Sequence, residues 1–249
     1  MDNPNDYTNM AISEAALDGA AAFAGVDLDR GLSPGSNDDD NFRESLLDGL
    51  GLGNGAIRSC ALGRRASPVD PLLLASARAL AAQQPTDLPA AVQHLLPALE
   101  RQAAASSAAP QGTEADRRAL LQEHLLDALG SVGPLKGGQG PSRALTCPKA
   151  EARALQAASA MVGRALGAFA TSSEHDDQLL VNHVAAGAAA AAATSSTAGE
   201  GSAPLPGRLS ANGACAVKFR RTKKRHLEAA LVVLRDAAQR NEAKSVESN

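Results

Sequence analysis

Aromatic residues are scarce in this 249-residue chain: four Phe, one Tyr and no Trp, 2% of the sequence. Runs of Val and Ile are missing as well, which argues against a β-sandwich or a doubly wound sheet. Cysteine is sparse. Cys60, Cys147 and Cys215 lie far apart and form no Cys-x-x-Cys pair, so no disulfide framework is expected. No apolar stretch reaches about 18 residues with side chains bulky enough to span a bilayer, and no membrane partner is expected. The opening MDNPNDYTNM is acidic and lacks the charged-then-apolar pattern of a secretory leader. These absences suggest a soluble, intracellular chain.

What is present is mostly Ala and Leu. Leu, Ile, Val and Phe together number 49, about 20% of the chain, at the edge of the disorder-prone range. Alanine favours helix but buries little area, so it drives folding weakly. The expected fold is mostly disordered with α-helical segments, ending in one long C-terminal helix.

Familiar catalytic and metal-binding patterns are missing too. His175 and His183 are eight apart beside Glu174, Asp176 and Asp177. A local metal pair on a helix needs a spacing of three or four, so this reads as a polar helix start. Gly49 to Gly55 is glycine-rich but lacks the Gly-Lys-Ser/Thr ending of a phosphate loop. No Gly-x-Ser-x-Gly, His-Glu-x-x-His or paired catalytic carboxylates occur. Neither an enzyme nor a cofactor or metal site is expected.

The net charge of −3 conceals a strong separation. Residues 1–50 carry eleven acidic and two basic groups, a net −9, whereas residues 208–244 carry ten basic and three acidic groups, a net +7. Ends of opposite sign suggest different partners. Residues 1–50 read as an acidic, disordered, activation-type segment. Phe23, Val26 and Leu28 lie beside Asp27 and Asp29, and Phe42, Leu46, Leu47 and Leu50 follow helical spacing after Asp38–Asp40. Acidic–hydrophobic alternation of this kind suits transient helices that insert into a partner, here the transcription machinery. An acidic tail that only aids solubility fits the same composition.

Residues 51–71 read as a linker, with Ser67 before Pro68 and after Arg64 and Arg65 as a candidate phosphorylation site. Residues 72–193 read as low-complexity, marginal Ala/Leu helices. Segments are expected at 72–84, at 90–105 with a break at Pro97, at 114–129 and at 149–170, with an alanine run at 188–193. The best is 114–129, capped by Thr113 and ended by Gly130. Residues 194–207 form a Ser/Ala/Gly/Pro linker.

The informative stretch is 208–249. Asn212 and Arg220 are eight apart, about 80° around a helix, close enough to enter one major groove. Asn pairs with adenine or a cytosine edge, and Arg with guanine or phosphate. Ala216 between them is small enough to approach a thymine methyl. Arg208, Lys218, Arg221, Lys223, Lys224 and Arg225 can supply phosphate contacts.

Asn212-x-x-x-Ala216-x-Lys218-Phe219-Arg220, followed by Lys223-Lys224, resembles the basic region of basic leucine-zipper (bZIP) transcription factors. The Phe-Arg pair with following lysines is most similar to the fungal sulphur- and amino-acid-control regulators. The resemblance covers about 37 residues. It implies a nuclear, sequence-specific, DNA-binding transcription regulator that grips double-stranded DNA as a dimer. Asn212, Cys215, Ala216, Phe219 and Arg220 would then face the bases or the adjoining backbone.

The resemblance also sets a heptad register. Leu227, Leu234 and Asn241 fall at a positions, and Ala230, Ala237 and Lys244 at d. With Leu227, Ala230, Leu234, Ala237 and Asn241 as the dimer seam, the Asn favours a two-stranded register, while Ala at d makes the zipper weak. The partner expected is therefore a second bZIP chain with a better zipper, in preference to another copy. Gly213 in the basic half costs roughly 1 kcal/mol relative to Ala, and Arg208 alone remains of the usual upstream cluster. The helix from about Ala211 to Ala243 is expected to be partly disordered without DNA or a partner. Cys215 stands where oxidation would obstruct groove entry. Two other readings fit the same stretch. One is a nuclear-localisation run, FRRTKKRH, before an amphipathic helix. The other is a disordered nuclear adaptor, or a dominant-negative bZIP partner without specific DNA binding.

Overall fold

The computed structural model describes residues 7–28, 37–63, 67–105, 113–130, 145–194 and 209–247. These residues are largely α-helical, in the order β1 (Tyr7–Ile12), α1 (Glu14–Phe23), α2 (Asn37–Gly49), β2 (Arg58–Gly63), α3 (Pro71–Ala81), α4 (Ala90–Gln93), α5 (Leu96–Ala105), α6 (Thr113–Leu129), α7 (Pro148–Gly167), α8 (Ser173–Thr194) and α9 (Ala211–Glu247). Short 3-10 turns occupy Gly53–Gly55 and Pro85–Asp87.

The expectation of a mostly disordered chain is corrected here. One continuous apolar core joins residues from both strands and from the helices at either end of the chain, from Met10 and Phe42 through Leu73, Leu125 and Leu155 to Leu234. Composition misled because alanine buries little area by itself but lets helix axes come close. Leucines on the neighbouring helix then fill the space, and each fully buried Leu contributes about 1.5–3 kcal/mol.

Helix α3 is the hub. Asp70 caps it by accepting from Leu72 N at 2.8 Å, and Pro71 occupies the first helical position, where its missing N–H costs nothing. Leu72 through Ala81 are all buried. Helix α7 packs on α3 and is pinned there by Arg78, whose Nε lies 2.9 Å from Glu151 Oε2 with both side chains buried. The same Glu151 accepts from Leu145 N at 3.1 Å, and Arg78 also donates to the Leu129 carbonyl at the end of α6. A buried ion pair is tolerable only with its remaining polar atoms satisfied, and these backbone partners meet that need. Gly130 lies where α6 meets α3. A Cβ there would stand 2.5 Å from Pro71 Cβ, so a larger residue would push the two helices apart.

The acidic end is part of this body. In α2 and the residue just after it, Phe42, Leu46, Leu47 and Leu50 are buried, and Arg43 donates to the Ala82 carbonyl at 2.7 Å. In α1, Ser13 accepts from Ala16 N, and Leu17, Ala20 and Ala21 face inward, with α7 as the helix they pack on. Strands β1 and β2 form an antiparallel ribbon with Tyr7 opposite Gly63 and Ile12 opposite Arg58. Thr8, Met10 and Ile12 alternate inward. Thr8 reaches α9, with its hydroxyl 3.3 Å from His226 Nδ1.

No helix among the described residues is long and apolar enough to cross a membrane.

Candidate nucleic-acid interface

Helix α9 is the longest element, at 37 residues and about 55 Å. It is continuous and packed, which corrects the expectation of partial disorder. Ser210 starts it by accepting from Gly213 N at 3.0 Å. Gly213 therefore sits in the first turn, where the interior penalty for glycine applies only weakly.

Two different sides of α9 are covered. Leu227, Ala230, Leu231, Leu234, Ala237 and Ala238 are buried in the main core, where α7 is the principal neighbour. Ala214, Val217 and Lys224 are buried on another side, along α8. At 100° per residue, the second side is turned by roughly 110° from the first. Asn212, Cys215, Ala216 and Phe219 are exposed. Together with the partly exposed Lys223 they lie within an arc of about 100°. Thr8 meets α9 at the Lys223 carbonyl and His226, next to this arc. Phe219 is 62% exposed, and the Lys223 ammonium stands 4.5 Å from its ring centroid. Lys218 is exposed on a neighbouring side.

Arg220, Arg221, Lys224 and Arg225 are already partnered. Asp176, fully buried in the first turn of α8, accepts from Arg220 Nε at 3.0 Å and from Lys224 Nζ at 2.6 Å. Lys224 is itself fully buried; it also donates to Thr171 Oγ1 at 2.7 Å and to the Ser172 carbonyl at 3.1 Å, with the Phe169 ring 5.4 Å away. Asp177 takes Arg221 Nε and Arg225 through one carboxylate oxygen each, both at 2.8 Å, in a more exposed setting. Ser173 donates to Glu228 at 2.7 Å. The hydrogen bonds from Arg220, and then those from Lys224, hold the Asp176 carboxyl down at about 2, against the opposing effect of burial. The same contact raises Arg220 above its ordinary value.

Compared with known proteins, the chain matches no family model, no curated protein and no solved structure.

The expected base-facing set is thus split. Asn212, Cys215, Ala216 and Phe219 stand together in solvent, while Arg220 turns away to Asp176 with 37% of its side chain exposed. The expected phosphate set is split as well: Lys218 and Lys223 point outward, and Arg221, Lys224 and Arg225 face α8. Arg208 lies outside the described residues. Of the expected seam, Leu227, Ala230, Leu234 and Ala237 are buried in the chain's own core, and Asn241 donates from Nδ2 to the Ala237 carbonyl at 2.9 Å.

The sequence assigns no role to Asp176 and Asp177, which the fold sets against the cations of α9. The signal is the adjacent pair of acids at a helix start; by sequence they read only as a polar helix start beside His175. Among the described residues no group of three or more His, Cys, Asp or Glu could hold a metal ion.

Proposed function

We propose that this protein is a sequence-specific DNA-binding transcription regulator whose reading element is the outer face of α9. The observation that carries this is the exposed arc of Asn212, Cys215, Ala216, Phe219 and partly exposed Lys223 along one side of the first half of α9. Such a helix end fits the major groove, with the Asn212 amide pairing to a base edge and Phe219 against the backbone or a thymine methyl. Lys218 and Lys223 supply phosphate contacts. The likeness of these residues to a bZIP basic region supports the same reading, and a nuclear location follows from it. Recruitment of transcription machinery would fall to exposed parts of the acidic end such as Phe23, since Phe42, Leu46, Leu47 and Leu50 are in the core.

Dimerisation through Leu227, Ala230, Leu234 and Ala237 competes with the packing of those residues in the chain's own core. A bZIP partner with a stronger zipper would have to displace α7 from them. The occupied seam favours a second reading: an adaptor that does not bind specific DNA.

A selection of randomised duplexes by the full chain, repeated with Asn212→Ala and Lys223→Ala, tests the proposal. Asn212→Ala should flatten the base preference at one position by about 1–3 kcal/mol. Lys223→Ala should weaken all duplexes alike and lower the salt slope by about 0.9. An Asn212→Ala variant with unchanged preference would show that this helix does not read bases.

A further inference from the structure

We propose that the first turn of α8 is a built-in competitor for DNA phosphates: Asp176 and Asp177 hold Arg220, Arg221, Lys224 and Arg225 in a closed arm, and duplex binding exchanges those carboxylates for phosphates. This rests on the DNA-binding reading above and adds its regulation.

Two adjacent carboxylates engage four cations that lie within six residues of α9. A carboxylate and a phosphodiester present similar anionic oxygens to guanidinium and ammonium groups, so the same side chains cannot serve both at once. The closed arm leaves Lys218 and Lys223 as the free-facing cations beside the reading face, enough for a weak encounter. Arg220, the residue expected to join Asn212 in the groove, is available only after it leaves Asp176.

The arm is built to open in stages. The Asp177 pairs are partly exposed, with side chains between 30% and 48% accessible, so water and salt already compete for them. The Asp176–Lys224 pair is fully buried and releases only when the α8 turn moves. Besides these pairs, Ser173 ties the start of α8 to Glu228. Leu180, Ala214 and Val217 are buried but stand outside the main core, and beyond them Val181 and Val184 are exposed. Movement of α8 therefore leaves the core and the second half of α9 in place. Ala170 to Ser172, between α7 and α8, is the segment that would bend.

The test compares the full chain with Asp177→Asn and with Asp176→Asn/Asp177→Asn, binding a short mixed-sequence duplex across a salt series. Asp177→Asn alters a partly exposed group and retains the fold, so it decides the matter even if the double variant is unstable. The expected result is a several-fold gain in affinity for Asp177→Asn and about tenfold or more for the double variant. The fall of log affinity with log salt should steepen by about 0.9 for every cation transferred to phosphate. Amides of residues 173–180 in the unmodified chain should exchange faster when duplex is added. Wild-type binding with no gain and no steeper slope in Asp177→Asn overturns the latch and leaves the DNA reading standing. Absence of duplex binding by every form at low salt overturns both.

Discussion

Lys224 Nζ lies 2.6 Å from Asp176 Oδ2, and neither side chain is exposed to solvent. A lysine from the most basic stretch of the chain is thereby buried against an acid 48 residues earlier. Removing one partner of such a pair leaves the other charged in a dry setting, which costs several kcal/mol. Lys224→Ala should destabilise the chain by about 2–4 kcal/mol, because Arg220 still partly compensates Asp176. Lys224→Met with Asp176→Leu should recover much of that loss. Urea denaturation measures both, and a Lys224→Ala variant as stable as the parent would show that the pair forms no part of the folded state.

Asp176 also sets an acid limit. Its carboxyl in the folded chain is held at about 2, below the ordinary 3.8. A depressed carboxyl stabilises the fold above its unfolded value, and that stability is lost as pH falls toward and through the folded value. Arg220 and Lys224 face it from α9, while Glu174 and Asp177 flank it on α8. Stability should therefore decline between roughly pH 5 and pH 2, and Asp176→Asn should flatten that part of the profile by about 2 kcal/mol. Parallel profiles for the two proteins would remove Asp176 as the cause.

Leu234 separates an internal seam from an intermolecular one. It is fully buried within one chain. Leu234→Ala should cost about 2–5 kcal/mol, and the melting temperature of both proteins should not depend on protein concentration. A melting temperature that rises with concentration would place this seam between chains.

Glu151 links Arg78 to the backbone at Leu145. Glu151→Ala leaves the buried guanidinium with the Leu129 carbonyl but without its carboxylate. A loss of about 3–5 kcal/mol is expected by thermal or chemical melting. A loss below about 1 kcal/mol would mean that water replaces the carboxylate.

The cysteines should react in a fixed order. Cys215 is exposed on the outer face of α9, whereas Cys60 is buried in β2 and its thiol is pushed up to about 12, chiefly by burial. A bulky thiol reagent should modify Cys215 in the folded chain and Cys60 only on unfolding. If α9 enters a groove through this face, modification of Cys215 should abolish duplex binding. Unchanged binding after complete modification would move the contact to another face.

Much of the helical layout is legible along the chain. The segment expected at 114–129 is α6, and Gly130 ends it. The sequence places a break at Pro97; the break between α4 and α5 falls at His94 and Leu95, and Pro97 stands in the first turn of α5. These boundaries depend on caps and prolines, whose effects are local. The β1–β2 ribbon is not legible in the same way. YTNMAI and RSCALG carry no strong strand signal, and they pair because the core buries Met10, Ile12, Cys60 and Leu62 from both.

The sequence by itself determined where α9 runs, which residues make it basic, and that Asn212, Cys215, Ala216 and Phe219 share one side, because helical spacing fixes relative angle. Only the tertiary structure decided what each side meets. Leu227 and Leu234 enter the chain's own core, Phe42 and its neighbouring leucines fold inward from the acidic end, and Arg220 and Lys224 turn to Asp176. Spacing shows which residues are aligned, but which of them are buried depends on long-range packing. Here close-packed alanine helices produced a core that composition alone had argued against.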